Sequence, residues 1–327
     1  MIGRLLAASL AALFAFEGAS AQDATGRFYS LKGQIVSPAY EGWYPNEDGT
    51  ITLSFGYFNS NWEQEFDIQV GADNYFTMVD PGELDDLKKE GFAAGQADQG
   101  QPTHFYPRRN PFLFTLTVPA DFGERELVWT LKTQGETNRA YGVVTPDYRI
   151  DPQVMSTEVG GNFGDLDNRL RDNLAPVLEV EGEPSRSVRV GEALTLSTFA
   201  DDPDHYPPRT TRDRTPTNLD QLYNPNSAGS VVVSGAPGLR LSWFVYRGPA
   251  EHVTFSPTQL KAWMDSRVYS NSPWSFPYVL PEVPPDNRWR TQVTFQEPGE
   301  YVLRAMASDG SQWTYEDVRV NVAPLAR

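Results

Sequence analysis

Acidic side chains supply the clearest candidate chemistry in this sequence. Asp201, Asp202 and Asp204 stand in one Asp-Asp-Pro-Asp run, and Asp309 stands in a Ser-Asp-Gly run. Carboxylate oxygens on loops are ligands that Ca²⁺ prefers, so these four residues predict a calcium site if the fold brings the two loops together. Such runs also form ordinary turns, in which the side chains accept backbone hydrogen bonds, and they lack the residue order of an EF-hand. Both interpretations stay open at this point.

Aromatic side chains suggest a second kind of site. Trp263, Trp274 and Trp289 lie in a long segment, residues 247–290, where Ser, Asn and Pro separate the rings. Exposed rings on loops stack on sugars or on apolar partners, which predicts a carbohydrate or protein ligand. The alternative is that the rings pack inward as a satellite core, because large exposed apolar patches are rare on monomeric proteins.

A third candidate is the run that contains His104, Arg108 and Arg109. A histidine beside two arginines in an acidic protein predicts an anion or carboxylate site, since guanidinium groups donate paired hydrogen bonds. The alternative is a loop that enters a strand, with both arginines paired to neighbouring acids.

The sequence contains none of the common catalytic motifs. HExxH, GxSxG, GxxxxGK[ST] and a helix-opening GxGxxG are all absent, and the three histidines do not have metal-ligand spacing. Without cysteine, thiol catalysis and Cys-ligated zinc or iron are excluded. A catalytic triad or a carboxylate pair defined only in space stays open. We therefore expect a non-catalytic protein, with no cofactor other than Ca²⁺.

The net charge of the protein limits the kinds of molecule that we expect it to bind. The formal net charge is −16, which repels phosphate backbones and disfavours nucleic acid as a partner. We expect the partner to be a protein or a carbohydrate.

The first residues resemble an export signal. Arg4 precedes an apolar stretch at residues 5–16, and Ala19-Ser20-Ala21 supplies a small-residue cleavage pattern. The apolar stretch is shorter than the roughly 20 residues that cross a bilayer. We expect cleavage after residue 21, a mature chain that starts at Gln22, no later membrane span, and a periplasmic or extracellular location.

Hydrophobic residues alternate along most of the chain, which predicts half-buried strands. Clear examples are residues 51–57, 112–118 and 127–131 in the first half, and 241–245 and 301–307 in the second. Short helices are predicted only at 84–89 and 256–263, each opened by a proline. The fold class is therefore all-β, with two β-sandwich domains at 22–150 and 177–327 and a polar linker at 151–176.

The second half carries a family resemblance. The runs VGEALTLSTFADDPD, EPGEYVLRAMASDG and EDVRVNV resemble strands B, F and G of bacterial immunoglobulin-like domains of the PKD and cadherin-like kind. The resemblance implies that Trp243 is the buried tryptophan of strand C. It also implies that Tyr301 is the tyrosine that such domains have near the start of strand F. It also places the B–C and F–G loops at one end, which implies that the two acidic runs converge.

These features favour an exported binding or structural module without catalytic activity. A carbohydrate-binding protein, or a secreted hydrolase with an accessory β-sandwich, is the alternative that the tryptophans support. A third hypothesis is that the protein is a component of a periplasmic assembly or a surface layer.

Overall fold

The structure, a computed structural model, describes residues 30–92, 98–159, 169–204, 238–262 and 282–325. The protein is all-β, as the alternating hydrophobic pattern predicts. The predicted signal at residues 1–21 and the predicted mature start at Gln22 lie outside the described residues.

The strands of the first half form two three-stranded antiparallel sheets and one small pair. One sheet has the order β1-β2-β6, the other β4-β7-β8, and β3 pairs with β5. A short helix, α1 (Leu84–Glu90), confirms the first predicted helix and is followed by Gly91. The strands are β1 (Val36–Pro45), β2 (Ile51–Asn59), β3 (Phe66–Asp67), β4 (Asn74–Val79), β5 (His104–Phe105), β6 (Arg108–Val118), β7 (Glu126–Thr133) and β8 (Glu136–Gly142).

Aromatic rings fill the core between these sheets. Trp129 is fully buried, stacks on Phe76 at 5.8 Å between ring centroids, and meets Phe114 edge-on at 5.1 Å. Its indole N–H donates to the buried side chain of Asn74, whose amide donates in turn to the carbonyls of Ile68 and Pro102. This asparagine ties the core to the chain segments that lead into and away from the sheets.

A bulge interrupts the pairing of β2 with β6. Phe55 pairs with Phe114 and Tyr57 pairs with Asn110, so three residues of β6 stand opposite Gly56 alone. A Cβ atom on Gly56 would lie 2.4 Å from the Asn110 carbonyl oxygen, and therefore only glycine fits there. The bulge takes the carbonyl of Leu113 out of the β-ladder, where it needs another hydrogen-bond donor.

The second half is an immunoglobulin-like sandwich. One sheet has the order β13-β14-β11-β9 and the other β10-β16-β15-β12, with β10 parallel to β16 and all other pairs antiparallel. In chain order the eight strands occupy the places of A, A′, B, C, D, E, F and G. They are β9 (Val177–Val180), β10 (Ser185–Arg189), β11 (Ala193–Asp201), β12 (Arg240–Arg247), β13 (Val253–Ser256), β14 (Arg288–Phe295), β15 (Gly299–Ser308) and β16 (Trp313–Ala323).

Two residues that the resemblance singled out have the expected environments. Trp243 on β12 is 1% exposed and Tyr301 on β15 is 2% exposed, and both lie in the core of this sandwich. The Tyr301 hydroxyl donates to the carbonyl of Glu297 four residues upstream, as in a tyrosine corner.

The second predicted helix, at 256–263, is wrong for its described part. Residues 257–262 are not helical. They run beside the edge strand β12 instead, where the side-chain carbonyl of Gln259 accepts a hydrogen bond from the Trp243 backbone N–H. An edge strand that needs acceptors for its backbone donors outweighs the weak helix signal of one proline.

The segment predicted as a linker contains helices α2 (Pro152–Glu158) and α3 (Arg169–Asp172). Asp151 caps α2 by accepting from the Val154 N–H. Side chains of the second domain hold the segment in place, since Gln312 donates to the Pro152 carbonyl and Thr314 donates to the Pro176 carbonyl. The described part of the segment is therefore packed against the second sandwich.

The two halves of the chain, which we call the first and the second domain, share one apolar cluster. Phe244, Tyr246 and Met306, on the outer face of the β12–β15 sheet, belong to the same cluster of buried residues as the core of the first domain. This contact covers one part of that outer face and leaves another part open.

Arg304 lies at the centre of this contact. Its guanidinium makes a bidentate ion pair with Asp317, donates to the bulge carbonyl of Leu113, and lies 3.5 Å from the ring centroid of Tyr246. The side chain is only 9% exposed. An arginine of the second domain thus satisfies a backbone group that the fold of the first domain leaves without a partner.

We expect Arg304→Met to reduce the free energy of unfolding by about 3 kcal/mol, because it leaves Leu113 and Asp317 without their donor. Urea denaturation at pH 7 measures the loss. Arg290→Met is the matched control, because Arg290 pairs with Asp286 at 3.4 Å on the exposed surface, where an ion pair contributes little to stability. Equal losses in the two variants would contradict a central role for Arg304.

Candidate binding site at the junction of the two domains

Residues Asp98–Tyr106 of the first domain run along the edge strand β12 of the second, and we call this contact the interdomain seam. The Thr103 N–H donates to the Tyr246 carbonyl at 3.3 Å, and the Thr103 hydroxyl accepts from the Gly248 N–H at 3.1 Å. The Val245 N–H donates to the Tyr106 hydroxyl at 2.9 Å. Edge-strand groups that would otherwise face water are therefore paired across the domain boundary.

An ion pair closes one end of the seam. Arg247 donates through both terminal nitrogens to Asp98, at 2.5 and 2.7 Å, and also to the carbonyl of Gln101. These hydrogen bonds, together with the nearby charge of Arg319, lower the pKa of Asp98. The arginine thus joins the two domains through planar, paired contacts that fix their relative orientation.

A cleft opens beside this ion pair. It consists of two adjoining cavities of about 560 and 650 Å³, which share Arg247 and Arg319 among their lining residues. Both volumes lie within the range of small-ligand sites, which occur preferentially at domain junctions. Among the described residues, this cleft is a candidate binding site formed by the fold.

The two domains contribute opposite walls of the cleft. Gln69, Val70, Asp98 and Thr103 belong to the first domain. The second domain contributes the open part of its outer sheet face, where Arg319 pairs in register with Val302 on one side and with Ser185 on the other. A mixed surface of this kind, with charged, hydroxyl and apolar groups on rigid strands, suits recognition of a polar ligand.

His104 lies behind the first-domain wall, between two carboxylates. Its Nδ1 is 2.8 Å from Asp67 Oδ1, its Nε2 is 3.0 Å from Glu65 Oε2, and the side chain is 2% exposed. Burial on its own lowers the pKa of His104, but the hydrogen bonds and charges of the two carboxylates outweigh it and raise the pKa. Both ring nitrogens are therefore occupied by carboxylates, and neither faces the cleft in this structure.

The two arginines predicted with His104 do not join it in one site. Arg109 makes a bidentate ion pair with Glu41, at 2.6 and 2.5 Å, and the Glu41 side chain is 4% exposed. Arg108 donates to the Ser60 carbonyl, and its guanidinium lies 4.1 Å from the ring centroid of Trp62. The alternative interpretation describes Arg109, which pairs with an acid, although both arginines lie in strand β6 rather than in a loop.

The acidic runs have structural partners. Asp309 is fully buried and accepts from the backbone N–H groups of Ser311 and Gln312 and from the Asn173 amide. Asp201 accepts from Asn287, and Asp204 accepts from the Leu174 N–H. Asp202 is buried, at 5% exposure. Among the described residues no three His, Asp or Glu side chains are grouped to hold a metal ion, and the calcium site stays a prediction.

Of the three tryptophans, only Trp289 lies among the described residues. It is half-buried on β14 and packs against the core of the second sandwich. Trp263 and Trp274 lie outside the described residues, so the aromatic ligand site stays a prediction for them.

Sequence reasoning missed the cleft residues Asp98, Arg247 and Arg319. The segment that contains His104 was selected for its polar and basic side chains, and it does form part of the seam. In contrast, Arg247 ends an alternating strand and Arg319 lies between Val318 and Val320, and both positions have the pattern of solvent-facing residues. Only the packing of one sandwich on the other makes them part of a concave surface.

No protein-family model and no curated protein matches the chain. Several solved structures are similar at low levels. The adhesin InvE from Yersinia pseudotuberculosis is 12% identical over 91% of this chain and 61% of that chain, with a TM-score of 0.23. The first eight immunoglobulin domains of Down syndrome cell adhesion molecule are 9% identical over 89% of this chain and 28% of that chain, with a TM-score of 0.24. The D00–D0 domain of intimin is 9% identical over 88% of this chain and 99% of that chain, with a TM-score of 0.21.

The chain spans 28% to 61% of the length of the first three similar structures. At these TM-scores the immunoglobulin-like assignment rests on the strand order described above. Within the described part of the chain, no helix is long and apolar enough to cross a membrane.

The environment of Asp309 gives a prediction that separates a turn from a metal site. Burial raises the pKa of Asp309, and its hydrogen bonds offset this only in part. The Oδ1 of its partner Asn173 is buried without a hydrogen-bond partner. We expect Asp309→Asn to leave the melting temperature at pH 7 unchanged or to raise it. When the Asn173 side-chain amide rotates, its Oδ1 can accept a hydrogen bond from the new amide at position 309.

Asp309→Ala is the matched variant, and we expect it to cost about 2 kcal/mol because three donors lose their acceptor. Thermal unfolding with and without CaCl₂ measures both. Asp309→Asn would contradict the structural role if it were as unstable as Asp309→Ala, or if it abolished a calcium-dependent rise in melting temperature of the unsubstituted protein.

Proposed function

We propose that the protein is an exported, non-catalytic binding module whose ligand occupies the interdomain cleft. The single observation that supports this most is that two domains, joined by Arg304 and by the interdomain seam, build a cleft of ligand size between them. A flexible spacer has no need for an interface with buried, bidentate contacts. A binding module does, because a preformed site reduces the entropy cost of binding.

His104 presents no free nitrogen to the cleft. Both ring nitrogens are occupied by carboxylates, and the ring is buried away from the cleft surface. The cleft lining consists of Asp, Arg, Ser, Thr, Asn, Gln and Glu side chains with apolar neighbours, a set typical of recognition by hydrogen bonds. The ligand class that fits this lining is a polar protein segment or a carbohydrate.

Site-specific photo-crosslinking in the producing cells tests the binding function. A photoreactive phenylalanine at Gln69, which is exposed at the cleft, should give an adduct whose mass identifies the ligand class. The same probe at Glu136, which is exposed in the β7–β8 hairpin of the first domain, is the control and should give none. Adducts that are equal at both positions, or absent at every cleft position, would contradict a ligand in the cleft.

Export has a separate test. N-terminal sequencing of the protein recovered from the producing cells should give Gln22 as the first residue, because the small-residue pattern at 19–21 directs cleavage after residue 21. The mature protein should appear in the periplasm or the medium. A cytoplasmic chain that keeps residues 1–21 would contradict export and would leave the cleft proposal unaffected.

A further inference from the structure

His104 joins two segments of the first domain that are far apart in sequence. Asp67 and Glu65 lie at β3, and His104 lies on β5, with Asp67 and His104 directly opposite each other in the antiparallel pair. The pair is only two residues long on each strand, so backbone hydrogen bonds alone hold it weakly. The imidazole contacts on both sides add to this short pairing.

These two segments continue directly into the first-domain wall of the cleft. Gln69 and Val70 follow Asp67 by two and three residues, and Thr103 precedes His104. The Ile68 N–H donates to the Thr103 carbonyl at 2.8 Å, which extends the contact toward the cleft. The position of Gln69 and Val70 in the wall therefore depends on the contact between β3 and β5, whereas Thr103 is also held by its hydrogen bonds to Tyr246 and Gly248.

Protonation of the imidazole decides whether that contact is satisfied. The imidazolium has an N–H on each nitrogen and can donate to both carboxylates at 2.8 and 3.0 Å. A neutral imidazole has one N–H only, so its other nitrogen would direct a lone pair at a carboxylate oxygen. Two acceptors in contact are unfavourable, and one of the carboxylates, whose side chains are 37% (Glu65) and 36% (Asp67) exposed, must then move away toward solvent.

We propose that His104 regulates the cleft by protonation: the imidazolium holds the β3 and β5 segments together, and its deprotonation releases the part of the first-domain wall at Gln69 and Val70. The proposal rests on the proposed function for its biological meaning, since it concerns regulation of the same cleft. The release itself is a property of the protein without ligand.

The groups that face the imidazole support a response by this histidine alone. Asp67 and Glu65 contact the two nitrogens, and the Tyr106 ring lies edge-on with its centroid 4.4 Å from that of the imidazole. Tyr57 and Tyr301 lie close enough to act on the same carboxylates. Burial raises the pKa of all three tyrosines, so they keep their protons through the range in which a histidine titrates.

The sign of the pH effect follows from the direction of the pKa shift. The two carboxylates raise the pKa of His104 in the folded state above its ordinary value, in spite of its burial. The stabilisation is therefore complete below the unfolded-state pKa of about 6.5 and is lost as the pH rises through the folded-state pKa. The cleft wall should be held at pH 6 and released at pH 9.

The absence of cysteine allows a direct measurement of the wall. In the variant Gln69→Cys with Ser185→Cys, spin labels would lie on opposite sides of the cleft, at two exposed positions. Pulsed electron spin resonance should give a narrow distance distribution at pH 6 and a broader or longer one at pH 9. The same distribution at both values of pH would overturn the proposal.

Two further variants in this labelled background assign the response. His104→Gln should abolish the difference between pH 6 and pH 9. His252→Gln should keep it, because His252 also lies near two glutamates, at 3.3 and 3.5 Å, but outside the seam. A pH response that persists in His104→Gln, or that disappears in His252→Gln, would overturn the assignment to His104.

Glu65→Gln covers the case in which His104→Gln does not fold. The new glutamine amide at position 65 can accept a hydrogen bond from the imidazolium and can donate one to the neutral ring. Its contact with His104 therefore survives deprotonation, and the difference between the distance distributions at pH 6 and pH 9 should shrink. A full-size response in Glu65→Gln would overturn the proposal. All of these measurements are made without ligand, so their outcome is independent of the crosslinking result, and failure of either proposal can be recognised separately.

Discussion

The arrangement of the two domains depends on the contact between Arg304 and the Leu113 carbonyl. A bulge in β6 removes this carbonyl from its ladder, and a buried carbonyl without a donor costs free energy. The guanidinium supplies the donor, while Asp317 and the Tyr246 ring compensate its charge. A buried arginine loses stability when one of these partners is removed, so these contacts favour this position of the first domain on the outer sheet of the second.

The seam and the cleft follow from that position. Once the first domain covers part of the outer sheet face, the edge strand β12 lies beside residues Asp98–Tyr106 and pairs with them. The uncovered rows of the same face, which include Val302 and Arg319, become the second-domain wall of a cleft instead of a flat surface. The cleft is thus formed by the packing of the two domains and not by either domain alone.

This dependence explains how much could be predicted from the sequence. Alternation of apolar residues is a local signal, and it identified the all-β class and strands such as residues 112–118 and 301–307. Trp243 and Tyr301 were also predictable, because a sandwich places such rings at fixed points along its strands. The bulge, the contact of Arg304 with Leu113 and the cleft were not. The bulge is defined by the pairing of residues 55–57 with residues 110–114, and the other two depend on contacts across 191 and 149 positions of sequence.

The arginines and the histidine at this junction respond differently to pH. Arg304 and Arg247 keep their charge at every physiological pH, so the contacts that orient the domains do not titrate. His104 is the one described histidine on the seam, and it acts on the short β3–β5 pair rather than on the outer sheet. A change in pH can therefore alter one wall of the cleft while the domains keep their orientation. A binding site with one fixed wall and one releasable wall changes its affinity without a rearrangement of the whole molecule, which costs less free energy than separating two domains that share a core.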